Sequence, residues 1–501
     1  MDKKIKICRN AADELLFSIS EKDKSRYAMH TEEKKIRYEE YITEVEKYMK
    51  LLVSIYGTQR AMIGLVMDDC LEFIYIFWAC IKLNLVPVLV NNKFTDTTIM
   101  KCFDSAMLGN IIIDVERSQK VFSKENSYLN AKCHNKVLFF TKKSKIKRIE
   151  NQVAFGIFTS GSTGIPKCVL HTHESMIRCV NLYYKETLKI KCSDIVYSAS
   201  KMMHTYGLGN TVFQTVGIRA SSVVCADGTV HSIISNIHKY RPTIFFATPS
   251  VYQEILIMAE EKEIDLSSIN SCFSAGEYLS PSLYEDFLKK FGLKIFDGMG
   301  NTEYLTTFIS NTREAHKKGS CGKCIAGFEA KVLDNNGKRA KKGMVGRLYI
   351  KGPTNFYGYY GEQKVYTATE YFNTNNLCYM DDDDFIWFVG RENMLFKVRG
   401  RWVNPLEIEN LLEEVEDIEE SLVINDSRER GNEIILYIKL KKEKGVTDVN
   451  LKHRIKVMIK KRLEHYKCPS KIIVLKFIPK GATGKKIREK IVDQQLIIKE
   501  L

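Results

Sequence analysis

The sequence predicts an α/β protein: a large N-terminal body of α/β subdomains with mainly parallel sheets, followed by a small mobile α+β C-terminal domain. Three observations carry this expectation. At 501 residues the chain is well past the roughly 250–300 at which a single hydrophobic core stops growing. Short strand-like runs alternate with amphipathic, helix-like segments along most of its length, the pattern of helices packed on parallel sheets. After Phe388-Val389-Gly390-Arg391 the texture changes to an acidic helix and a few short strands, a compact α+β ending.

The strand-like runs of the body are Ala61 to Val66, Val86 to Val90, Asn110 to Asp114, Lys136 to Phe140, Ile195 to Ser198, Ser222 to Cys225 and Thr243 to Ala247. Tyr38 to Ile55 and Thr95 to Met107 are amphipathic segments between them. Phe73 to Ile81 is the most apolar helix-like stretch, but Lys82, Asn84 and Pro87 follow it. It falls short of the ~20 residues a bilayer requires, so a buried helix and no membrane span are expected. In the ending, Asn404 to Glu416 reads as the acidic helix, and Ile434 to Lys439 and Ile472 to Leu475 as strands. A body over residues 1–390 and a lid over 391–501, with the boundary at 390–394, follow from this.

With 45% hydrophobic and 27% charged residues, the composition is that of an ordinary globular protein. The start Met1-Asp2-Lys3-Lys4-Ile5-Lys6 is basic, but no apolar run follows it, so no export signal is read. Fourteen cysteines without a spacing pattern then point to reduced thiols and a cytoplasmic protein. The pair Cys321-Gly322-Lys323-Cys324 has no second CxxC or histidine pair to complete a zinc site. The net charge of +15 is concentrated where Lys452, Arg454, Lys456, Lys460, Lys461, Arg462, Lys467 and Lys471 crowd together. Such a face favours polyanions or is simply solvated; without stacking aromatics or a known motif, no nucleic-acid partner is expected. Asp381 to Asp384 lacks the spacing and closing Glu of a calcium loop, so it reads as a solvated turn. His171-Thr172-His173 reads as a strand exit and helix entry rather than a metal pair.

The strongest local motif is Phe158-Thr159-Ser160-Gly161-Ser162-Thr163-Gly164-Ile165-Pro166-Lys167, after the alternating strand Val153 to Phe158. Four hydroxyls, two glycines and a lysine can wrap N–H and OH donors around a phosphate chain. The spacing is not that of a Walker loop.

This loop resembles the phosphate loop of the acyl-adenylate-forming superfamily, which includes acyl-CoA synthetases, luciferases and peptide-synthetase adenylation domains. Further family-like motifs follow in order along nearly the whole chain, and Asn10-Ala11-Ala12-Asp13 resembles the start of benzoate-type aryl-CoA ligases. The resemblance implies ATP bound by Thr159, Ser160, Gly161, Ser162, Thr163, Gly164 and Lys167. Lys201-Met202-Met203-His204-Thr205-Tyr206-Gly207-Leu208-Gly209-Asn210 is similar to the segment lining the acid pocket of aryl-CoA ligases, with His204 near the carboxylate. No Asp stands there to receive an ammonium group, which argues against α-amino acids. Tyr206, Ala247, Ala275 and Thr306 would complete the pocket; at the position of Thr306 the benzoate-type ligases usually carry His.

Ala275, Gly276 and Glu277, then Asp297, Gly298, Met299 and Gly300, resemble the segments enclosing adenine. Thr302 would bind the α-phosphate and Glu303 would hold Mg2+, which takes oxygen ligands beside phosphates. Arg391 would lie close to the ribose, and the family's hinge position falls on Asn393. Lys397 to Gly400 would line the thiol channel in a second conformation. Pro479-Lys480-Gly481-Ala482-Thr483-Gly484-Lys485 resembles the loop delivering a catalytic lysine, here Lys485, with Lys486 its nearest rival. Where the family has Thr-Gly-Asp contacting the ribose hydroxyls, this chain has Thr374-Asn375-Asn376.

The implied reaction is activation of a carboxylic acid, aromatic by resemblance, to acyl-AMP, then transfer to a thiol. Coenzyme A and the phosphopantetheine arm of an acyl carrier protein are the alternative acceptors. Asn376 and Asn393 leave a further alternative, a non-catalytic relative that binds an acid or a nucleotide.

Overall fold

A computed structural model of the chain describes residues 9–122, 132–141, 149–159, 166–398, 401–426, 433–441, 448–480, 486 and 496–501. The chain divides into two compact units. The larger takes residues 1–279, 283–330 and 350–372; the smaller takes 280–282, 331–349 and 373–501. The expected lid, residues 391–501, falls wholly within the smaller unit.

Two large sheets, of nine and eight strands among the described residues, organise the larger unit. In the nine-stranded sheet Ser221–Val223, Ile195–Ser198, Ile244–Ala247, Ser271–Ser274 and Ile295–Gly300 run parallel side by side. Antiparallel strands Thr307–Ser310 and Lys323–Cys324 close one edge. In the eight-stranded sheet Asn110–Asp114, Met62–Val66, Val86–Leu89 and Val153–Phe158 are parallel at the centre, and antiparallel strands flank them. Parallel strands buried on both faces need continuous apolar runs. That is why Met62–Val66 and Val153–Phe158 are buried at every residue, where alternation is the reading of Val153 to Phe158 from the sequence.

The apolar stretch at 73–81 forms the helix Leu71–Lys82 with every residue from Phe73 to Ile81 buried. No helix among the described residues is long and apolar enough to cross a membrane. Tyr38–Tyr56 and Asp96–Ser105 are the amphipathic helices, the latter opened by the Thr95 hydroxyl, which accepts from Thr98 N–H.

The smaller unit has its own core, in which Ile408, Leu412, Leu436, Ile455, Ile459 and Ile472 are fully buried. These come from the helices Pro405–Leu412 and Asp448–Arg462 and from a four-stranded sheet that includes Ile418–Asp426, Glu433–Leu440 and Lys471–Leu475.

Candidate active site

Open parallel sheets bind ligands beyond the carboxyl ends of their strands, and the singled-out residues of the larger unit gather at such ends. The loop from 159 to 167 joins Val153–Phe158 to its antiparallel neighbour Cys168–Thr172. Thr159 N–H donates to Lys167 O at 3.0 Å, and Lys167 N–H donates to Thr159 Oγ1 at 3.4 Å, so both ends of the loop are pinned. Ser160, Gly161, Ser162, Thr163 and Gly164 lie outside the described residues.

Lys167 Nζ sits 3.1 Å from Glu362 Oε1 and 4.7 Å over the ring of Tyr359. The Tyr359 hydroxyl donates to Glu303 Oε1 at 2.9 Å. Tyr359 arrives there because the short strand Gly358–Tyr359 pairs with Cys168–Thr172, opposite Val169. Sequence reasoning missed Tyr359 and Glu362: they stand 56 and 195 residues from the partners they hold, and no local motif marks them.

The histidines after the loop act as expected of a strand exit and helix entry. The strand ends at Thr172 and the helix His173–Cys179 starts at once. His171 Nε2 lies 2.8 Å from Thr302 O, which requires it to carry the proton, and burial pushes the ring's pKa down to about 3. His171 therefore stays neutral and ties the hairpin to the turn that carries Glu303.

That turn, Thr302–Tyr304, is capped by Asn301 Oδ1, which accepts from Tyr304 N–H at 3.0 Å. Just before it, Gly298 and Gly300 lie against the returning strand: a Cβ would come within 2.7 Å of the Thr307 side chain and of Thr306 O, respectively. Glycine is needed there for the close approach of two backbones. Asp297 is buried on the same strand, opposite Ser274. Its Oδ1 has no hydrogen-bond partner among the described residues. Burial pushes its carboxyl up to about 8, with the Ser274 hydroxyl, Gly298 N–H and Cys321 thiol partly offsetting the effect. The neighbouring strand Ser271–Ser274 is followed by Ala275, buried, and Gly276 at φ +92°. Glu277 is engaged locally: its carboxylate accepts from Ser250 N–H at 3.1 Å and Ser250 Oγ at 3.2 Å. Met299 is buried.

The acid-pocket candidates follow the ends of the next two strands. Ala247 is fully buried at the end of Ile244–Ala247. His204 caps the short helix Thr205–Leu208, and its N–H donates to Lys201 O at 3.0 Å. The Tyr206 ring meets Phe246 edge-on at 5.9 Å, and Phe246 stacks on Phe273 at 5.1 Å. The Tyr206 hydroxyl, Thr306 Oγ1 and Ser198 Oγ are closed off from solvent, with no hydrogen-bond partner among the described residues. Aromatic rings and unspent hydroxyls are the groups that a planar, mostly apolar ligand carrying some polar group calls for.

Asp69, which the sequence does not mark, holds the segment bearing His204. Its Oδ1 accepts from Met202 N–H at 3.1 Å, and Lys201 Nζ lies 3.9 Å from Oδ2. Burial pushes Asp69 up to about 7, opposed by the Lys201 ammonium.

In the smaller unit, Asn376 and Arg391 are direct cross-strand partners on Phe372–Met380 and Ile386–Arg391. The Thr374 hydroxyl donates to Leu348 O at 2.9 Å and accepts from Asn376 N–H at 3.3 Å, so Asn376, itself buried, is set by its neighbour. Asn393 lies in the 3-10 turn Glu392–Met394. Lys486 Nζ donates to Ser421 O at 2.8 Å and sits 3.8 Å from the buried Glu409. Lys485, Arg399 and Gly400 lie outside the described residues.

Residues 17–360 match the family described as AMP-binding enzyme, well over half of the chain. The chain belongs to this family. Residues 407–485 match its companion, the AMP-binding enzyme C-terminal domain. The chain is 31% identical over 344 residues to a benzoate–CoA ligase of Thauera aromatica, a match covering 67% of this chain and 65% of that one, slightly under two thirds of that relative's length. It is 25% identical over 496 residues to a 4-hydroxybenzoate–CoA/benzoate–CoA ligase of Rhodopseudomonas palustris, covering 95% and 92% of the two chains. The crystal structure of a benzoate CoA ligase from Burkholderia xenovorans superposes with a TM-score of 0.83 at 25% identity, covering 95% of this chain and 98% of that one.

Two further stretches singled out in the sequence have a local structural setting. Asp381 to Asp384 forms a hairpin turn, in which the Asp381 carboxylate accepts from Asp383 N–H, Phe385 N–H and Trp387 Nε1–H. Cys321 and Cys324 are free thiols. Among the described residues no cluster of three His, Cys, Asp or Glu could hold a metal ion.

Proposed function

We propose that this chain activates an aromatic carboxylic acid with ATP as the acyl-adenylate and transfers the acyl group to coenzyme A. The observation that carries this reading is the tie between two sheets: the hairpin that holds the pinned Ser/Thr/Gly/Lys loop is joined to the Thr302–Tyr304 turn through His171 and Thr302 O, and Tyr359 contacts both Lys167 and the Glu303 carboxylate.

In the first step a carboxylate oxygen attacks the α-phosphorus and pyrophosphate leaves; in the second a thiol sulfur attacks the acyl carbon and AMP leaves. Thr159, Ser160, Gly161, Ser162, Thr163, Gly164 and Lys167 cradle the phosphates, and Thr302 donates to the α-phosphate. Ala275, Gly276, Glu277, Gly298, Met299 and Gly300 enclose adenine. The unspent Oδ1 of Asp297 is an acceptor for its amino group. Asn376 and Arg391 contact the ribose. His204, Tyr206, Ala247, Ala275 and Thr306 shape the acid site.

Lys485 supplies the cation for the charge that develops as pyrophosphate departs. The inward engagement of Lys486 with Ser421 O and Glu409 favours Lys485 over its neighbour. Glu303 fits Mg2+: with Oε1 held by Tyr359, Oε2 is a hard oxygen donor beside the phosphate loop. When bound, the ion supplies charge neutralisation for the phosphates. Residues 391–501 serve as the mobile lid, hinged at 390–394.

Acid-dependent exchange of labelled pyrophosphate into ATP, run across benzoate, hydroxybenzoates, aminobenzoates and fatty acids, tests the reading. Exchange with aryl acids is the expected result. Folded protein that binds ATP yet exchanges with none of them would make it a non-catalytic relative.

A further inference from the structure

Glu303 is held twice by one short stretch of chain. Phe356 N–H donates to Glu303 O at 2.6 Å, and three residues on the Tyr359 hydroxyl donates to the Glu303 carboxylate at 2.9 Å. The Tyr359 ring is itself fixed: Phe356 packs on it edge-on at 5.0 Å, and the Lys167 ammonium lies 4.7 Å over it. Gly358 allows the tight path, since a Cβ there would stand 2.7 Å from Lys364 O. One tyrosine thus touches both the lysine that ends the phosphate loop and the carboxylate assigned to the cation.

We propose that Tyr359 is a positioning residue for Glu303: its hydroxyl fixes the carboxylate rotamer so that one oxygen is presented to the divalent cation that accompanies ATP. This rests on the adenylation reading above. A carboxylate on an unrestrained side chain must lose rotamer freedom when it takes up a cation. One already held by a donor has lost it, and such outer partners of ligating carboxylates are worth about 10–100-fold in metal affinity. Nearby, Glu362 occupies the Lys167 ammonium, where the phosphates would later bind.

Tyr359→Phe keeps the ring, and with it the packing on Phe356 and Lys167, and removes only the donor. The experiment is calorimetric titration of the full-length protein with ATP in the absence of any acid, once with Mg2+ and once with EDTA. The expected result is a loss of about tenfold in the affinity that Mg2+ adds, with affinity in EDTA within about twofold of wild type. On a Glu303→Gln background the same substitution should add nothing further, because the group it positions is gone. Equal weakening with and without Mg2+, or an unchanged effect on the Glu303→Gln background, would reduce Tyr359 to packing and overturn the proposal. Mg2+-dependent ATP binding that Tyr359→Phe leaves intact overturns this inference alone. Wild-type protein that binds no ATP with Mg2+ overturns the adenylation reading as well.

Discussion

Replacing Asp297 by Asn should make the protein more stable at neutral pH, although the residue sits in the proposed ATP site. Asp297 is 7% exposed, its Oδ1 has no hydrogen-bond partner among the described residues, and burial pushes its pKa up to about 8 from an ordinary 3.8. A carboxyl whose folded pKa is raised binds its proton more tightly when folded, so its contribution is most favourable below the unfolded pKa and is lost as pH rises towards 8. Each pKa unit is worth ~1.4 kcal/mol, so the cost at pH 7 is on the order of 4 kcal/mol as an upper value. Asparagine has the same shape and cannot ionise. Thermal unfolding of Asp297→Asn and wild type, compared at pH 7.5 and pH 4.5, is the assay. The variant should melt several degrees higher at pH 7.5, and the gap should nearly close at pH 4.5. A variant that melts lower than wild type by the same margin at both pH values would refute the idea of a buried carboxyl that its neighbours compensate only in part. The raised pKa is expected of a site kept ready for a ligand donor, so the same substitution should raise the KM for ATP while stabilising the apo protein.

Asp69→Ala leaves Met202 N–H buried without its acceptor, which costs ~1–3 kcal/mol; the KM for the acid should rise about tenfold while that for ATP stays put, as steady-state kinetics would show. Lys485→Ala should lower pyrophosphate exchange by about a hundredfold or more, the range for a lost transition-state charge partner. Lys486→Ala should instead lower the melting temperature and keep exchange within about tenfold of wild type, because its ammonium serves Ser421 O and Glu409; the opposite ranking would reassign the catalytic lysine. Asn376→Asp, facing Arg391 across the strand pair, should strengthen ATP binding by roughly fivefold through a charge-assisted bond to the ribose. Calorimetry with ATP that gives weaker binding would show the buried charge dominating.

Legibility in the sequence followed the range of the forces involved. The bounds of Asn110–Asp114 and Ile195–Ser198 can be read off residue for residue, because a largely buried strand is a short apolar run; those of Val153–Phe158 can be read too, although its burial on both faces is hidden behind an alternating pattern. Tyr27–His30 and Lys35–Arg37 escape notice: their pairing joins short segments of mixed polarity, and only the neighbouring parallel strand Ser221–Val223 makes one of them part of a sheet. In the smaller unit Asn404 to Glu416 reads as one helix, yet the observed helix stops at Leu412 and a long strand begins at Ile418. Glu419 and Glu420 disguise that strand, although their side chains are paired with Lys439 and Lys480. At the site, contiguous motifs are visible because chemistry requires particular residue types side by side. Asp69, Tyr359 and Glu362 are not visible, because each acts on a residue more than fifty positions away.

The basic ending bears on which thiol accepts the acyl group. As a sequence it reads as a continuous cationic face, which would suit an acidic carrier protein. In the fold much of that charge is already spent within the smaller unit. Arg454 pairs with Asp417, Arg462 with Glu414, and the buried Lys467 with Glu407 and Glu464. Lys452 donates to the backbone carbonyl of Leu501. An ammonium with a carboxylate beside it offers little net field to a partner beyond a Debye length, ~8 Å at physiological salt. Docking of a carrier protein would need a field that these pairs cancel, whereas coenzyme A needs only local contacts for one small polyanion. Given both acceptors and the same acid, thioester should therefore accumulate on coenzyme A. Preferential loading of the carrier protein, weakening steeply with added salt, would show that Lys456, Lys460 and Lys461 suffice to steer it.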